Sequence, residues 1–223
     1  MKIEHHLIDG RDLIVIDDAF SSADLSTISH VIHGITDAHW AEGHDENLLR
    51  YSGIHAMNVD AGTDSADSVI RGDCVFLENL PEHEFICGLV DSAIINAFST
   101  VSIVSDDDKA KILEDKNEFF CRVLRYMPGY YDDCADGDNF LHTDIRLGVM
   151  FTPVINPEEP QSTLYYEDDK FETPVLTLDH KPGRLVVFDG RIVHAPSKCF
   201  KVPRYAMSLH NDNDMRHYLS KFR

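Results

Sequence analysis

Cationic residues are scarce in this chain. Lys and Arg number 20 against 39 Asp and Glu, a formal net charge of −19 over 223 residues. Such a surface repels phosphate backbones, and no basic run offsets it, so the composition argues against nucleic-acid binding. Long apolar runs are missing too. None approaches the roughly 18 residues that a membrane-crossing helix needs. The opening residues, MKIEHHLIDGRD, lack the apolar core of a secretory leader, and the expectation is a cytoplasmic protein. Cysteine is sparse and unpatterned: Cys74, Cys87, Cys121, Cys134 and Cys199 are odd in number and form no C-x-x-C pair. That pattern points away from a disulfide framework or a cysteine zinc site and fits free thiols in a reducing compartment. No internal repeat, low-complexity segment or Pro/Gly/Ser linker divides the chain, so residues 1–223 are expected to form a single domain.

What is present is enough apolar material, 43% of residues, for one sizeable core. Residues 1–118 read as a partly helical N-terminal part. LIVID (13–17) is a short strand. Ser21 or Ser22 can cap a helix in which Leu25, Ile28, Ile32 and Ile35 recur at helical spacing. A second helix is expected over about Glu82 to Phe98, after Pro81. Residues 36–73, rich in Gly and Asp, read as loops with short strands. His5 and His6 read as part of a flexible N-terminus. From Phe119 the character is β: FFCRVLRYM, LGVMFTPVI, STLYYE, PVLTL, RLVVF and RYAMSLH are short β-branched or aromatic runs separated by turn residues. The expected fold class is α+β, a double-stranded β-helix (jelly roll) core over 119–211 with N-terminal buttressing helices.

The chemistry concentrates in FLHTDIRLGVMF (140–151). His142, Asp144 and Arg146 recur at every second position, which on a strand places them on one face. Fifty residues beyond Asp144, RLVVFDGRIVHAP supplies His194. Two His and one carboxylate form the facial triad of non-haem Fe(II) oxygenases, which leaves adjacent coordination positions open. Ten residues further, Arg204, Ala206 and Ser208 share a strand face. An inward arginine is costly to bury unless it meets an anion, and a dicarboxylate would be one; Ser208 could add a hydroxyl donor.

Taken together, His142-Thr-Asp144, His194 and Arg204-Tyr-Ala-Met-Ser resemble the iron(II)/2-oxoglutarate-dependent dioxygenase superfamily, most of all its prolyl-4-hydroxylase-like branch. Tyr126-Met-Pro-Gly129, PGRLVVFDGRIVHAPSKCFKVPRYAMSLH and LIVIDDAFSSADLSTI resemble further stretches of that branch. The resemblance covers about residues 12–35 and 119–211. It implies His142, Asp144 and His194 as iron ligands, Arg204 (with Ser208) on the distal carboxylate of 2-oxoglutarate, and Tyr126 lining that pocket. The implied cofactors are Fe(II), 2-oxoglutarate as cosubstrate, and O2. This chain departs from the branch in two places. QSTLYYEDD stands where G-G-x-L is usual, and arginine replaces the lysine of the collagen-type members. The long segment YYDDCADGDNFL before His142 could form a lid; it fails the calcium-loop template, with Cys134 at the third position and Thr143 at the twelfth.

Arg146 and Arg191 flank the proposed ligands and are candidate substrate-binding residues. They could instead pair with local carboxylates such as Asp189 and Asp179. The expected activity is hydroxylation of an unactivated C–H bond in a small molecule such as an amino acid or natural-product intermediate. A peptidyl (prolyl-type) hydroxylase and a non-catalytic cupin-like binding protein stay open as alternatives. Trp40 could touch substrate or serve the core.

Overall fold

The computed structural model describes residues 1–35, 82–100, 119–126, 141–143, 147–151, 158–168, 170–197 and 201–211, the short strands 41–42, 55–56 and 73–76, and the single positions 105, 107 and 219. The chain opens with a hairpin. Strands β1 (Lys2–Ile8) and β2 (Arg11–Asp17) pair antiparallel, with Ile8 opposite Arg11. The connecting residues Asp9 and Gly10 both have positive φ, 49° and 74°. That is the two-residue turn whose twist matches paired strands, and Asp-Gly is a favoured sequence for it. The expected flexible N-terminus is therefore corrected to a strand. His5 belongs to it, its Nε2 2.9 Å from Asp12 Oδ1.

Helix α1 (Ser22–Gly34) starts at an N-cap on Ser21. The Ser21 hydroxyl accepts from the Asp24 amide and the Asp24 carboxylate accepts from the Ser21 amide, a reciprocal capping box. Its buried residues, Ile28 and Ile32, sit one turn apart. Helix α2 (His83–Thr100) buries Ile86, Val90, Ala93, Ile94 and Ala97, a single apolar stripe. No described helix is long and apolar enough to cross a membrane.

The remaining strands are β3 (Ala41–Glu42), β4 (His55–Ala56), β5 (Asp73–Phe76), β6 (Phe119–Tyr126), β7 (His142–Thr143), β8 (Leu147–Phe151), β9 (Ser162–Tyr166), β10 (Leu176–Asp179), β11 (Leu185–Asp189), β12 (Val193–Pro196) and β13 (Arg204–Asn211). They form an eight-stranded sheet, β1-β2-β11-β8-β13-β6-β5-β3, and a five-stranded sheet, β10-β9-β12-β7-β4. The pairings within both are antiparallel. Two antiparallel sheets are what the expected jelly roll requires.

The two-residue period of the strands sorts the core into layers. Ile14 and Ile16 of β2, Leu185 and Val187 of β11 and Met207 of β13 form one cluster with the buried faces of α1 and α2. Their neighbours on the opposite face, Leu13, Val15, Val186 and Phe188, cluster with Tyr165 of β9 and Leu178 of β10. The second cluster joins the two sheets. A third, Tyr166, Val193 and Ala195, backs the outer face of the small sheet, with Leu164 against it. Each fully buried aromatic or aliphatic side chain contributes about 1.5–3 kcal/mol to this assembly. Because both faces of β2 and β11 are covered, these strands read in sequence as unbroken apolar runs.

Two arginines fasten the edges. Arg184 forks onto Asp17 (2.6 and 2.9 Å) and donates to the Asp179 carbonyl (2.9 Å), holding the turn before β11 to the end of β2. Arg11 forks onto Asp168 (2.8 and 2.7 Å) and donates to the Arg191 carbonyl (3.1 Å). These pairs hold Asp17 and Asp168 below the usual aspartate range, chiefly through the hydrogen bonds their arginines donate.

Candidate active site

The site is built from the face of the small sheet that looks toward the large one. Outward-packing Val193 and Ala195 leave His194 on the inner face of β12, and outward-packing Leu164 and Tyr166 leave Thr163 and Tyr165 on the inner face of β9. His194 is 1% exposed. Tyr165, its register partner on β9, stacks on it at 5.9 Å between ring centroids and 28° between planes. Phe188, from the large sheet, meets the same imidazole edge-on at 4.9 Å. Two aromatic walls, one from each sheet, therefore fix the ring.

Its tautomer follows from one hydrogen bond. His194 Nδ1 lies 2.9 Å from the Ile192 carbonyl oxygen. A carbonyl only accepts, so Nδ1 carries the proton and the neutral ring keeps its lone pair on Nε2. Metal-binding histidines are oriented in this way, with one nitrogen donating to a backbone or carboxylate oxygen. The donor set thus fits a metal at this position. On its other side β12 pairs with β7, and the register partner of His194 there is His142. Asp144 lies outside the described residues, as does Arg146. Among the described residues, no three His, Cys, Asp or Glu side chains group as metal donors.

Arg204 occupies the inner face of β13, since Tyr205 and Met207 pack on the helix side. It is 1% exposed. Its guanidinium crosses to the small sheet. Nη1 donates to the Ser162 carbonyl at 3.0 Å and, at the limit of a hydrogen bond, to the Ser197 carbonyl at 3.5 Å. Nη2 donates to the Thr163 hydroxyl at 3.2 Å and lies 3.0 Å from His180 Nε2. The register partner of Arg204 on β6 is Tyr126. Ser208 stands four residues further along β13. The turn leading into β13 is pinned by buried Glu159, whose carboxylate accepts from the Lys201 and Val202 amides (2.9 and 3.2 Å).

Arg191 has its guanidinium on Asp189 (3.0 and 2.6 Å), the local pairing that competes with a substrate role, and its side chain is 56% exposed. Residues 130–140, Trp40 and Cys199 lie outside the described residues. Sequence reasoning passed over Thr163, Tyr165 and His180. The first two had a visible signal in the alternation of S-T-L-Y-Y; His180, one residue past β10, had none, because only the tertiary fold carries Arg204 to it.

No family model matches this sequence, and no curated protein matches it either. Among the solved structures it resembles are 2-oxoglutarate/Fe(II) oxygenases and prolyl hydroxylases. A Pseudomonas putida prolyl-4-hydroxylase is 11% identical, with 88% of this chain and 90% of that one covered and a TM-score of 0.49. A Trichoplax adhaerens prolyl hydroxylase, solved with a hypoxia inducible factor oxygen degradation domain peptide, is 14% identical, with 93% and 86% covered and a TM-score of 0.49. A rice dioxygenase for auxin oxidation is 14% identical, with 89% and 72% covered and a TM-score of 0.48.

Proposed function

We propose that this chain is an Fe(II)/2-oxoglutarate-dependent dioxygenase, built on a jelly-roll core, that hydroxylates an unactivated C–H bond of a small molecule. One observation supports this reading above others: strand β9 serves both halves of the expected site. Its Tyr165 stacks on His194, and two residues away on the same face its Thr163 receives the guanidinium of Arg204. A histidine and an arginine named for different roles from separate sequence motifs thus converge on one short strand.

His142, Asp144 and His194 would hold the iron, and Arg204, with Ser208 and Tyr126, the 2-oxoglutarate. The bound metal would supply activation of O2, coupled to decarboxylation of 2-oxoglutarate to succinate. The chain's own part is orientation and exclusion of water. The Ile192 carbonyl keeps the His194 lone pair on Nε2, and the Tyr165 and Phe188 rings stop the imidazole from turning. Arg204, rooted in the large sheet and held on the small one, would fix the distance between the cosubstrate carboxylate and the metal ligands. Arg146 is the candidate to pair with a carboxylate on the prime substrate, orienting the target bond; Arg191, engaged by Asp189, is the weaker one.

The test is Fe(II)-dependent release of succinate from 2-oxoglutarate by the purified protein, and its loss in His142→Ala, Asp144→Ala and His194→Ala variants that retain the circular dichroism of the parent. Absence of iron-dependent turnover in the parent would leave the non-catalytic, cupin-like reading. A panel of amino acids, other small acids and prolyl peptides then separates small-molecule from peptidyl hydroxylation. If Arg146 orients an acidic substrate, Arg146→Ala should lose substrate-coupled turnover while uncoupled turnover persists.

A further inference from the structure

His180 has no role in the site so far, yet its ring is built into the grip on Arg204. The ring lies one residue beyond β10, with its amide donating to the Gln161 carbonyl at 2.8 Å. Its Nε2 sits 3.0 Å from Arg204 Nη2 and 3.1 Å from the Thr163 hydroxyl, which itself accepts from the same Nη2 at 3.2 Å. The three groups close a triangle. A guanidinium can only donate, so Nε2 must accept, and the ring must be neutral with its proton on Nδ1. That nitrogen is sealed from solvent and meets no hydrogen-bond acceptor among the described residues. A buried donor without an acceptor is an expensive arrangement. The alternative tautomer would aim an N–H at the arginine, so the contact with Arg204 dictates which nitrogen carries the proton. Burial, then the Arg204 and Arg184 cations, hold the ring neutral far below the ordinary histidine value.

We propose that His180 is a positioning residue for the cosubstrate: a neutral acceptor that, with Thr163, sets the guanidinium plane of Arg204 for the distal carboxylate of 2-oxoglutarate. This rests on the reading of Arg204 given under Proposed function. An imidazole suits the task in two respects. It reaches Nη2 with an acceptor, and it brings no negative charge to compete with an incoming carboxylate. Glu at this place would reach the arginine with an acceptor too, but its charge would weaken the attraction of Arg204 for the cosubstrate.

The experiment compares three variants by equilibrium binding of 2-oxoglutarate to the Mn(II)-loaded, catalytically silent protein. Succinate-release kinetics follow, to separate KM from kcat. His180→Gln places an amide oxygen near the Nε2 position and is expected to bind within about threefold of the parent. His180→Asn stops one methylene short of the guanidinium, and its affinity should fall about tenfold or more. His180→Glu restores the acceptor but adds a charge. It should fold at least as stably as the parent and still lose affinity by about tenfold or more, with kcat little changed. Equal, parent-like binding in all three overturns the inference and leaves the dioxygenase reading standing. Equal loss in all three also overturns it, because a residue needed only for packing gives that pattern. Failure of the parent itself to bind 2-oxoglutarate sinks the dioxygenase reading and this inference with it.

Discussion

His194 and Tyr165 are register partners on adjacent strands, and their rings lie 28° from parallel with centroids 5.9 Å apart. The tyrosine therefore acts as a plate against which the imidazole is held, and Phe188, which also meets Tyr165 edge-on at 5.8 Å, braces the same ring from an adjoining side. Replacing the plate should cost more than removing its hydroxyl. Tyr165→Leu is expected to weaken Mn(II) binding by about tenfold or more, as lost support of a metal-binding histidine commonly does. Tyr165→Phe, which keeps the ring, should stay close to the parent. Fluorescence or calorimetric titration with Mn(II) reads both.

Arg204 is the second lever. Arg204→Ala removes one partner of a buried, charge-assisted contact and should raise the apparent KM for 2-oxoglutarate by the equivalent of about 3–5 kcal/mol. Arg204→Lys keeps the charge but cannot fork between the Ser162 carbonyl and the Thr163 hydroxyl, so its KM should fall between the two. Succinate release against 2-oxoglutarate concentration decides. An unchanged KM in Arg204→Ala would place the cosubstrate elsewhere.

Two glycines in the left-handed region should respond unequally to alanine. Gly10 (φ 74°) has nothing within 4 Å of where a Cβ would stand, so Gly10→Ala costs only the backbone preference, about 1 kcal/mol. Gly183 (φ 73°) would place its Cβ 3.3 Å from the Phe20 carbonyl oxygen and 3.7 Å from the Asp18 Cα, backbone atoms that cannot easily retreat. Gly183→Ala should therefore be the more destabilising in urea unfolding, the excess appearing in the midpoint and not in the slope.

Acid should destabilise the protein in two stages. Folding holds His180 neutral below the ordinary histidine value of 6.5, through burial and the facing Arg204 of β13 and Arg184 of the turn before β11. As pH falls below that value the unfolded chain takes up a proton that the folded one refuses, so stability declines. Thr163 on β9 and Asp179 on its own strand complete the polar neighbourhood, Asp179 being engaged by the Ser162 hydroxyl at 2.8 Å. The second stage belongs to Asp17 and Asp168, whose folded carboxyls lie below their ordinary 3.8. Their contribution is complete above that value and disappears as pH falls through the folded ones. Urea midpoints measured from neutrality to about pH 3 should show both stages, with His180→Gln removing the first and Asp17→Asn part of the second.

Much of the architecture was legible in the sequence because it follows from periodicity. Ile28 and Ile32 with the Ser21 cap announce α1, and alternation in STLYY and RYAMSLH announces β9 and β13. The Asp9-Gly10 turn was equally legible but was outweighed by the polarity of KIEHHLI, an edge strand whose side chains need little burial. His194 and Arg204 stood out because a buried imidazole and a buried guanidinium need specific partners. What those partners are was beyond local pattern. Tyr165, Thr163 and His180 reach them only after two sheets close on one another, and that information is long-range by nature. The pairing of Arg191 with Asp189 was one of two readings that spacing allowed.

The pairing of β2 with β11 joins residues 13–16 to residues 185–188. The first hairpin can form as soon as it is made, since its own turn is two residues long. Its second strand, though, keeps Leu13 and Val15 without the Tyr165, Leu178, Val186 and Phe188 side chains that cover them until nearly the whole chain has been synthesised. Such distant closure slows folding and lengthens the time during which aggregation competes. A nascent chain released before β11 would leave Leu13, Ile14, Val15 and Ile16 without a neighbouring strand on that side. Production of this protein should thus be more sensitive to chaperone supply and growth temperature than its modest size suggests, and fragments ending before residue 185 should collect in the insoluble fraction.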